Sequence, residues 1–191
     1  MKEASRPDHD GEERGDMKRL IGLSTVFVVG LAVVGLAVAG ANRNWSQHAN
    51  GSMEVPARDS QGQAQLILHL APDGGSLDYK LIASNIENVF MAHIHMGPPG
   101  VNGPIVVWLY PSTAPVALVP PTGPIDPGTI ATGTITAANL TGPLAGHPLE
   151  DLVSALNGDN AYVNLHTNDG VAPTNTGPGD FPGGEIRGDI R

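Results

Sequence analysis

Residues 88–110 decide the fold, and they read NVFMAHIHMGPPGVNGPIVVWLY. They predict two β-strands joined by a tight turn, because apolar, β-prone residues lie on both sides of the Gly/Pro break at 97–100. Strand side chains alternate between two faces, so His93 and His95 project to the same side as Met91. Two imidazoles at this spacing lie about 7 Å apart along the strand. Both can therefore reach one metal ion.

The composition of the chain predicts an all-β protein. Glycine (25) and proline (17) are too frequent among 191 residues for a helical protein, and they are typical of short strands joined by turns. Alternating, turn-bounded segments between residues 61 and 191 predict about seven or eight strands, which indicates a Greek-key β-sandwich or barrel. One short helix is predicted at residues 148–157, where apolar residues recur at helical spacing.

The charge and the cysteine count restrict the partners and the chemistry. The formal net charge is −9, which argues against nucleic acid as a partner. The chain has no cysteine, so disulfides, cysteine-based zinc sites and a thiol nucleophile are excluded. An acidic domain without disulfides is stabilised by its core alone, or by its core and a metal ion.

The N-terminal region predicts export. Residues 1–19 are charged and predict a disordered segment on the cytoplasmic side, whereas residues 20–41 are uncharged and predict a hydrophobic helix before the β domain. A retained transmembrane anchor fits the length of this run, and a cleaved signal peptide fits its small-x-small endings. In both cases Lys18 and Arg19 predict residues 42–191 outside the membrane. Residues 42–58 are predicted to be a polar linker.

A third histidine joins the first two by the same alternation. Residues 161–167 predict a strand that buries Val163 and Leu165 and points His166 to the opposite side. Imidazoles suit copper or zinc, and a thioether from Met91 would favour Cu(I). His147 is a further candidate ligand. The metal set is therefore His93, His95 and His166, with Met91 and His147 as additions.

Two other interpretations of these histidines stay open at this point. They are structural side chains that hydrogen-bond to loop carbonyls or to Glu185, or they act as an acid–base pair in catalysis. No Ser/His/Asp arrangement and no phosphate-binding loop is found, so no catalytic residue and no organic cofactor site is predicted.

Residues 183–191 predict the last strand. Ile186 and Ile190 face inward, so Glu185, Arg187 and Asp189 alternate on the other side. We expect a surface or semi-buried charge ladder, in which Arg187 pairs with Glu185 or with a carboxylate of a neighbouring strand. The proline-rich residues 111–127 predict an irregular loop.

Several stretches together resemble the CHRD domain, which is named for the extracellular antagonist chordin. The resemblance covers residues 52–191, with the pieces Glu54-Val55-Pro56, Gly62-Gln63-Ala64, Ala92-His93-Ile94-His95 with the turn after it, residues 162–167 and residues 183–188. It implies a secreted or membrane-tethered β domain that is a non-enzymatic binding module for an unknown extracytoplasmic macromolecule. Residues 168–182 form a longer connection than the family suggests, which predicts a lid or a partner surface near His166.

A more distant similarity is to the copper–zinc superoxide dismutase barrel. In that family too, a His-x-His strand precedes a glycine-containing turn, and a later histidine completes the copper site; His93, His95 and His166 match this order. The cysteine pair and the zinc loop of that family have no counterpart here. The similarity therefore implies a fold and a mononuclear site. It keeps one alternative function open, a copper- or zinc-binding extracytoplasmic protein with metal-handling or dismutase-like chemistry.

The two interpretations of residues 20–41 predict different mature N-termini. Signal-peptide cleavage after Ala39 or Ala41 gives a chain that begins at Gly40 or Asn42, whereas an anchor leaves the N-terminus intact. Mass spectrometry of the protein from its native host distinguishes these forms. Recovery of the β domain from the cytosol would contradict both.

Overall fold

The structure, a computed structural model, describes residues 43–112 and 128–191. The predictions for residues 1–19 and 20–41, and for most of the proline-rich loop, lie outside these ranges. Within them no helix is both long enough and apolar enough to cross a membrane.

The described residues form eight strands and one α-helix. The strands are β1 (Asn44–Asn50), β2 (Gln63–Leu70), β3 (Leu77–Ser84), β4 (Val89–Met96), β5 (Ile105–Tyr110), β6 (Gly128–Ile135), β7 (Ala161–Thr167) and β8 (Ile186–Asp189). The helix is α1 (Leu149–Asn157), and three 3-10 turns lie at Gly51–Met53, Ala137–Asn139 and Gly142–Leu144. The predicted helix at 148–157 is therefore present, with acidic residues in its first turn and Gly158 at its end.

All eight strands belong to one antiparallel sheet, in the order β5-β4-β7-β8-β1-β2-β3-β6. The pairs β4–β7 and β8–β1 join strands far apart in sequence, which is the mark of a Greek key. The two ends of the sheet approach each other: the edge strands β5 and β6 are in contact, and the Tyr79 hydroxyl of β3, which pairs with β6, donates a hydrogen bond of 2.9 Å to the Leu109 carbonyl of β5. The sheet is thus a nearly closed barrel, and the predicted all-β Greek-key class is confirmed.

Strand alternation builds the core. In β2, Leu66, Leu68 and Leu70 are buried while Ile67 and His69 face solvent, as the pattern predicted. Gly133 of β6 faces Tyr79 across the sheet, and a Cβ there would lie 2.8 Å from the tyrosine ring. A glycine at this position lets the tyrosine reach the opposite edge.

The linker prediction for residues 42–58 is wrong for Asn44–Asn50, which forms β1 between β8 and β2. Trp45 and Ala49 of β1 are buried in the core, at 2% and 0% exposure. The rest of the strand is polar, because its other side faces solvent. Two apolar residues in a polar segment were too weak a pattern to indicate a strand.

One part of the sheet is buried on both faces. Every residue of β7 and of β8 is buried, including polar ones. Two segments cover the face that points away from the hydrophobic core: the β4–β5 loop (residues 97–104) and the β7–β8 loop (residues 168–185). Glu185, Arg187 and Asp189 lie beneath them at 1%, 0% and 8% exposure. A surface ladder at these residues is therefore wrong.

Candidate metal centre

The pairing of β4 with β7 brings the three predicted histidines together. The register places His166 opposite Met91, Asn164 opposite His93, and Tyr162 opposite His95. Residues opposite each other in an antiparallel pair share a face, so all three imidazoles lie on the same side of the sheet. One ligand atom from each of His93, His95 and His166 lies within 4.8 Å of the others. These three residues are called the histidine cluster below.

The spacing within the cluster suits one ion. His93 Nδ1 lies 3.2 Å from His166 Nε2. Two imidazole nitrogens bound to the same tetrahedral zinc, at 2.0–2.1 Å each, lie about 3.3 Å apart. These two nitrogens are thus already at the separation of two ligand atoms of one ion.

Two backbone carbonyls determine the tautomers of the cluster. His95 Nδ1 lies 2.9 Å from the Gly103 carbonyl, and His166 Nδ1 lies 3.0 Å from the Pro182 carbonyl. A carbonyl only accepts, so both Nδ1 atoms carry the hydrogen and both Nε2 atoms keep a lone pair. His166 Nε2 therefore accepts from His93 Nδ1.

Two buried nitrogens of the cluster then stay unsatisfied. Nε2 of His93 and Nε2 of His95 have no hydrogen-bond partner in the described part of the chain. Buried polar atoms are nearly always paired, so each such atom requires a reason. Hydrogen bonds to loop carbonyls, the structural interpretation, account for the Nδ1 atoms of His95 and His166 and leave these Nε2 atoms unexplained. A metal ion bound by His93 Nδ1, His95 Nε2 and His166 Nε2 would replace the hydrogen bond between His93 and His166 and would account for Nε2 of His95.

Burial keeps the imidazoles neutral. Desolvation lowers the pKa of His93 to about 2, with further lowering from the nearby His166 and His95. Desolvation also lowers the pKa of His166 to about 4, against a raising effect of its hydrogen bond to Pro182. The pKa of His95 is lowered by burial too, and the Arg187 cation adds to this effect. Neutral imidazoles at physiological pH are the form that binds metals.

Aromatic rings surround the cluster. Trp108 contacts His93 edge-on at a centroid distance of 4.2 Å, and Tyr162 stacks on His95 at 4.8 Å. Phe90 lies 6.5 Å from His166. These rings shield the nitrogens from water. The sequence did not predict this shielding, although the alternation of β7 places Tyr162 on the same face as His166.

The two additional candidates have different surroundings. Met91 is partly buried and lies directly across from His166, so it neighbours the cluster as predicted. His147 is exposed, and its Nδ1 lies 2.7 Å from Asp151 Oδ2 in the first turn of α1. The mutually close ligands found among the described residues do not include His147.

The buried charges next to the cluster form their own contacts. Arg187 Nε donates to Asp189 Oδ1 at 2.8 Å, so its carboxylate partner is on its own strand and not on a neighbouring one. Glu185 is bound by Ser60 and Thr167 and makes no ion pair with Arg187 in the described residues. Glu54 accepts a hydrogen bond of 2.5 Å from Asn164, and burial raises the pKa of its carboxyl group.

Comparison with known families identifies the domain. Residues 45–190 match the CHRD domain. The chain belongs to the CHRD family. The resemblance inferred for residues 52–191 is thus confirmed and extends back to include most of β1. Neither a curated protein nor a solved structure gives a significant match. The similarity to the superoxide dismutase barrel stays a prediction.

The segments that carry the CHRD resemblance converge on the cluster. Asn164 of the 162–167 segment holds Glu54 of the first segment. The amide of Gly62 donates to Ser60 Oγ, whose hydroxyl in turn donates to Glu185 of the last segment. Four of these segments therefore meet on one polar, buried face.

The low pKa values predict an acid-sensitive metal-free protein. The folded pKa values of His93 and His166 lie below the unfolded value of about 6.5, so the unfolded state binds more protons below that pH. Their contribution to stability is complete above pH 6.5 and falls as the pH drops towards 4. Urea unfolding of wild type and of His93→Gln at about pH 7.5 and at about pH 5 measures how strongly the stability of each protein depends on pH.

The variant removes one titrating group, so its stability should depend less on pH than that of the wild type, although it is lower at neutral pH. Equal slopes for the two proteins would contradict the neutral, buried state of His93.

Proposed function

We propose that this CHRD domain holds one copper or zinc ion at His93, His95 and His166. The observation that carries the proposal is the convergence of three buried imidazoles, with one ligand atom of each within 4.8 Å of the others, together with Nε2 of His95, which has no partner among the described residues. Metal-binding histidines commonly donate their other ring nitrogen to a backbone carbonyl, and both His95 and His166 do so. Imidazole nitrogens suit both metals.

The surroundings of the site support a non-enzymatic role. A catalytic zinc or copper needs an open position for water or substrate. The three imidazoles are at most 8% exposed, and aromatic rings lie against them. An ion in such a shielded site links β4 to β7 and stabilises the native state, because the unfolded chain has no preformed site. The alternative is metal handling or dismutase-like chemistry, which measured copper transfer or superoxide dismutation would favour.

Metal titration tests this function. We expect the purified protein to take up one equivalent of Cu(I), Cu(II) or Zn(II) by calorimetry and metal analysis, and His95→Ala and His166→Ala to lose that uptake. His147→Ala is the matched control, because this histidine is exposed and lies outside the cluster. Metal removal should lower the melting temperature of wild type and of the control.

Equally weak uptake by wild type and by both cluster variants would show that the histidines are structural. Copper binding has a second readout, because Trp108 lies against His93 and its fluorescence should be quenched by Cu(II).

The location and the partner complete the proposal. The apolar residues 20–41 behind Lys18 and Arg19 support an exported or membrane-anchored protein with the CHRD domain outside. The CHRD match supports a module that binds another extracytoplasmic macromolecule. The net charge of −9 supports a partner other than nucleic acid.

Affinity capture tests the binding role. The exported form of the protein, immobilised with and without metal, should retain a specific protein or polymer from the extracytoplasmic fraction of its host. An unrelated acidic β domain, immobilised at the same density, is the control for charge. Recovery of the same material on both supports, or of none on either, would argue against a binding module.

A further inference from the structure

We propose that Glu185 and Arg187 are a pair of positioning residues, in which Arg187 sets the tautomer of His95 and Glu185 sets that of His166. Each residue acts through one loop, and each loop supplies one backbone carbonyl to one histidine. The significance for metal binding rests on the proposed function, whereas the effect on the tautomers does not depend on it.

Arg187 holds the β4–β5 loop against the sheet. Its Nη1 donates to the Val101 carbonyl at 3.0 Å and to Asn102 Oδ1 at 3.3 Å, and its Nη2 donates to the Pro98 carbonyl at 3.1 Å. Its Nε donates to Asp189 Oδ1 at 2.8 Å. The guanidinium is fully buried, so all of these contacts are made without competition from water.

The same loop ends at the acceptor for His95. The carbonyl of Gly103 accepts from His95 Nδ1, and the amide of Gly103 donates to the Tyr162 hydroxyl at 3.0 Å. A Cβ at Gly103 would lie 1.7 Å from the Met96 carbonyl oxygen, so the loop closes this tightly only with glycine. Arg187 also lies 3.6 Å from the centre of the Tyr162 ring, which stacks on His95. It therefore supports both the acceptor and the neighbouring ring of this histidine.

Glu185 holds the β7–β8 loop in the corresponding way. Its carboxylate accepts from Ser60 Oγ at 2.5 Å, from Thr167 Oγ1 at 2.5 Å and from the Gly179 amide at 2.7 Å. Thr167 Oγ1 in turn accepts from the Phe181 amide at 2.9 Å. These contacts tie the loop to the end of β7.

The next residue of this loop is the acceptor for His166. The Pro182 carbonyl lies 3.0 Å from His166 Nδ1 and follows directly on the tied Phe181. Glu185 is 1% exposed, and its three donors satisfy a buried carboxylate that would otherwise be costly. The Glu185 carboxylate thus lies where its three hydrogen bonds fix the conformation of the β7–β8 loop.

Arg187 and Glu185 act through different loops, the β4–β5 loop and the β7–β8 loop. Loosening one loop removes the carbonyl partner of one histidine and leaves the other histidine unchanged. A histidine without its Nδ1 acceptor populates both neutral tautomers, and in part of the molecules Nε2 then carries the hydrogen and cannot bind the ion. Loss of such an outer partner typically lowers metal affinity by about 10–100-fold.

The experiment uses two variants and two readouts. Arg187→Lys keeps the charge but loses the fork that reaches three acceptors, and Glu185→Gln keeps the shape but replaces an acceptor with a donor. Nitrogen-15 NMR of the metal-free protein reports the tautomer of each histidine, and zinc titration reports the affinity. The control is Lys80→Gln, at an exposed position of β3.

We expect a crossed pattern. Arg187→Lys should mix the tautomers of His95 alone, Glu185→Gln should mix those of His166 alone, and each should weaken zinc binding by about 10–100-fold. Lys80→Gln should match wild type. A merely structural role would disturb both histidines together or neither, and either result overturns the proposal.

Milder variants keep the test decisive if a first variant does not fold. Asn102→Ala removes one contact of Arg187, and Thr167→Val removes the hydroxyl between Glu185 and Phe181. We expect smaller tautomer changes, at His95 alone in Asn102→Ala and at His166 alone in Thr167→Val. Crossed tautomers in a protein that binds no zinc would support the positioning and overturn the metal site. Zinc binding of equal affinity in all variants, with unchanged tautomers, would support the metal site and overturn the positioning.

Discussion

The antiparallel register of β4 and β7 is the constraint on which the whole site depends. It sets His166 across from Met91 and places His93 and His95 on the same face. A slip of one residue would turn every side chain of one strand to the opposite side and separate the three imidazoles. The register is held by the other face, where residues such as Ala92, Ile94, Val163 and Leu165 are fully buried in the core. Hydrophobic packing on one side of the sheet therefore positions polar chemistry on the other.

Burying a polar face requires that its charges be satisfied. Arg187 and Glu185 are fully enclosed, and each is surrounded by partners that match its hydrogen-bonding capacity. The imidazoles avoid the free-energy cost of a buried charge in a different way, because desolvation keeps them neutral. The unsatisfied atoms that remain include the two Nε2 atoms of His93 and His95. The face thus combines satisfied charges with neutral lone pairs, which is the combination that a cation requires.

Sequence periodicity predicted those parts of the fold in which one face is apolar and the other polar. It identified β2, β3 and β7, the helix α1 and the common side of His93 and His95. It failed at β1, where only Trp45 and Ala49 are apolar, and at Glu185 and Arg187, which it placed in a surface or semi-buried ladder although both are fully buried. Alternation tells which side of a strand a residue faces, but it does not tell whether a loop covers that side. The aromatic rings around the cluster were missed because strand pairing, and not the alternation within one strand, brings Trp108 of β5 against His93 of β4.

The two covering loops also explain why the imidazoles of the histidine cluster are held in fixed orientations. Binding is weak when the ligand must first order its own receptor, because the ordering entropy opposes association. Here the carbonyls of Gly103 and Pro182 orient two imidazoles, and the buried charges beneath the loops hold those carbonyls in place. The ligands come from strands far apart in sequence, so an ion that joins them adds its binding energy to the native state alone. In a domain without cysteine, the proposed ion would provide the long-range cross-link that a disulfide supplies in many secreted proteins.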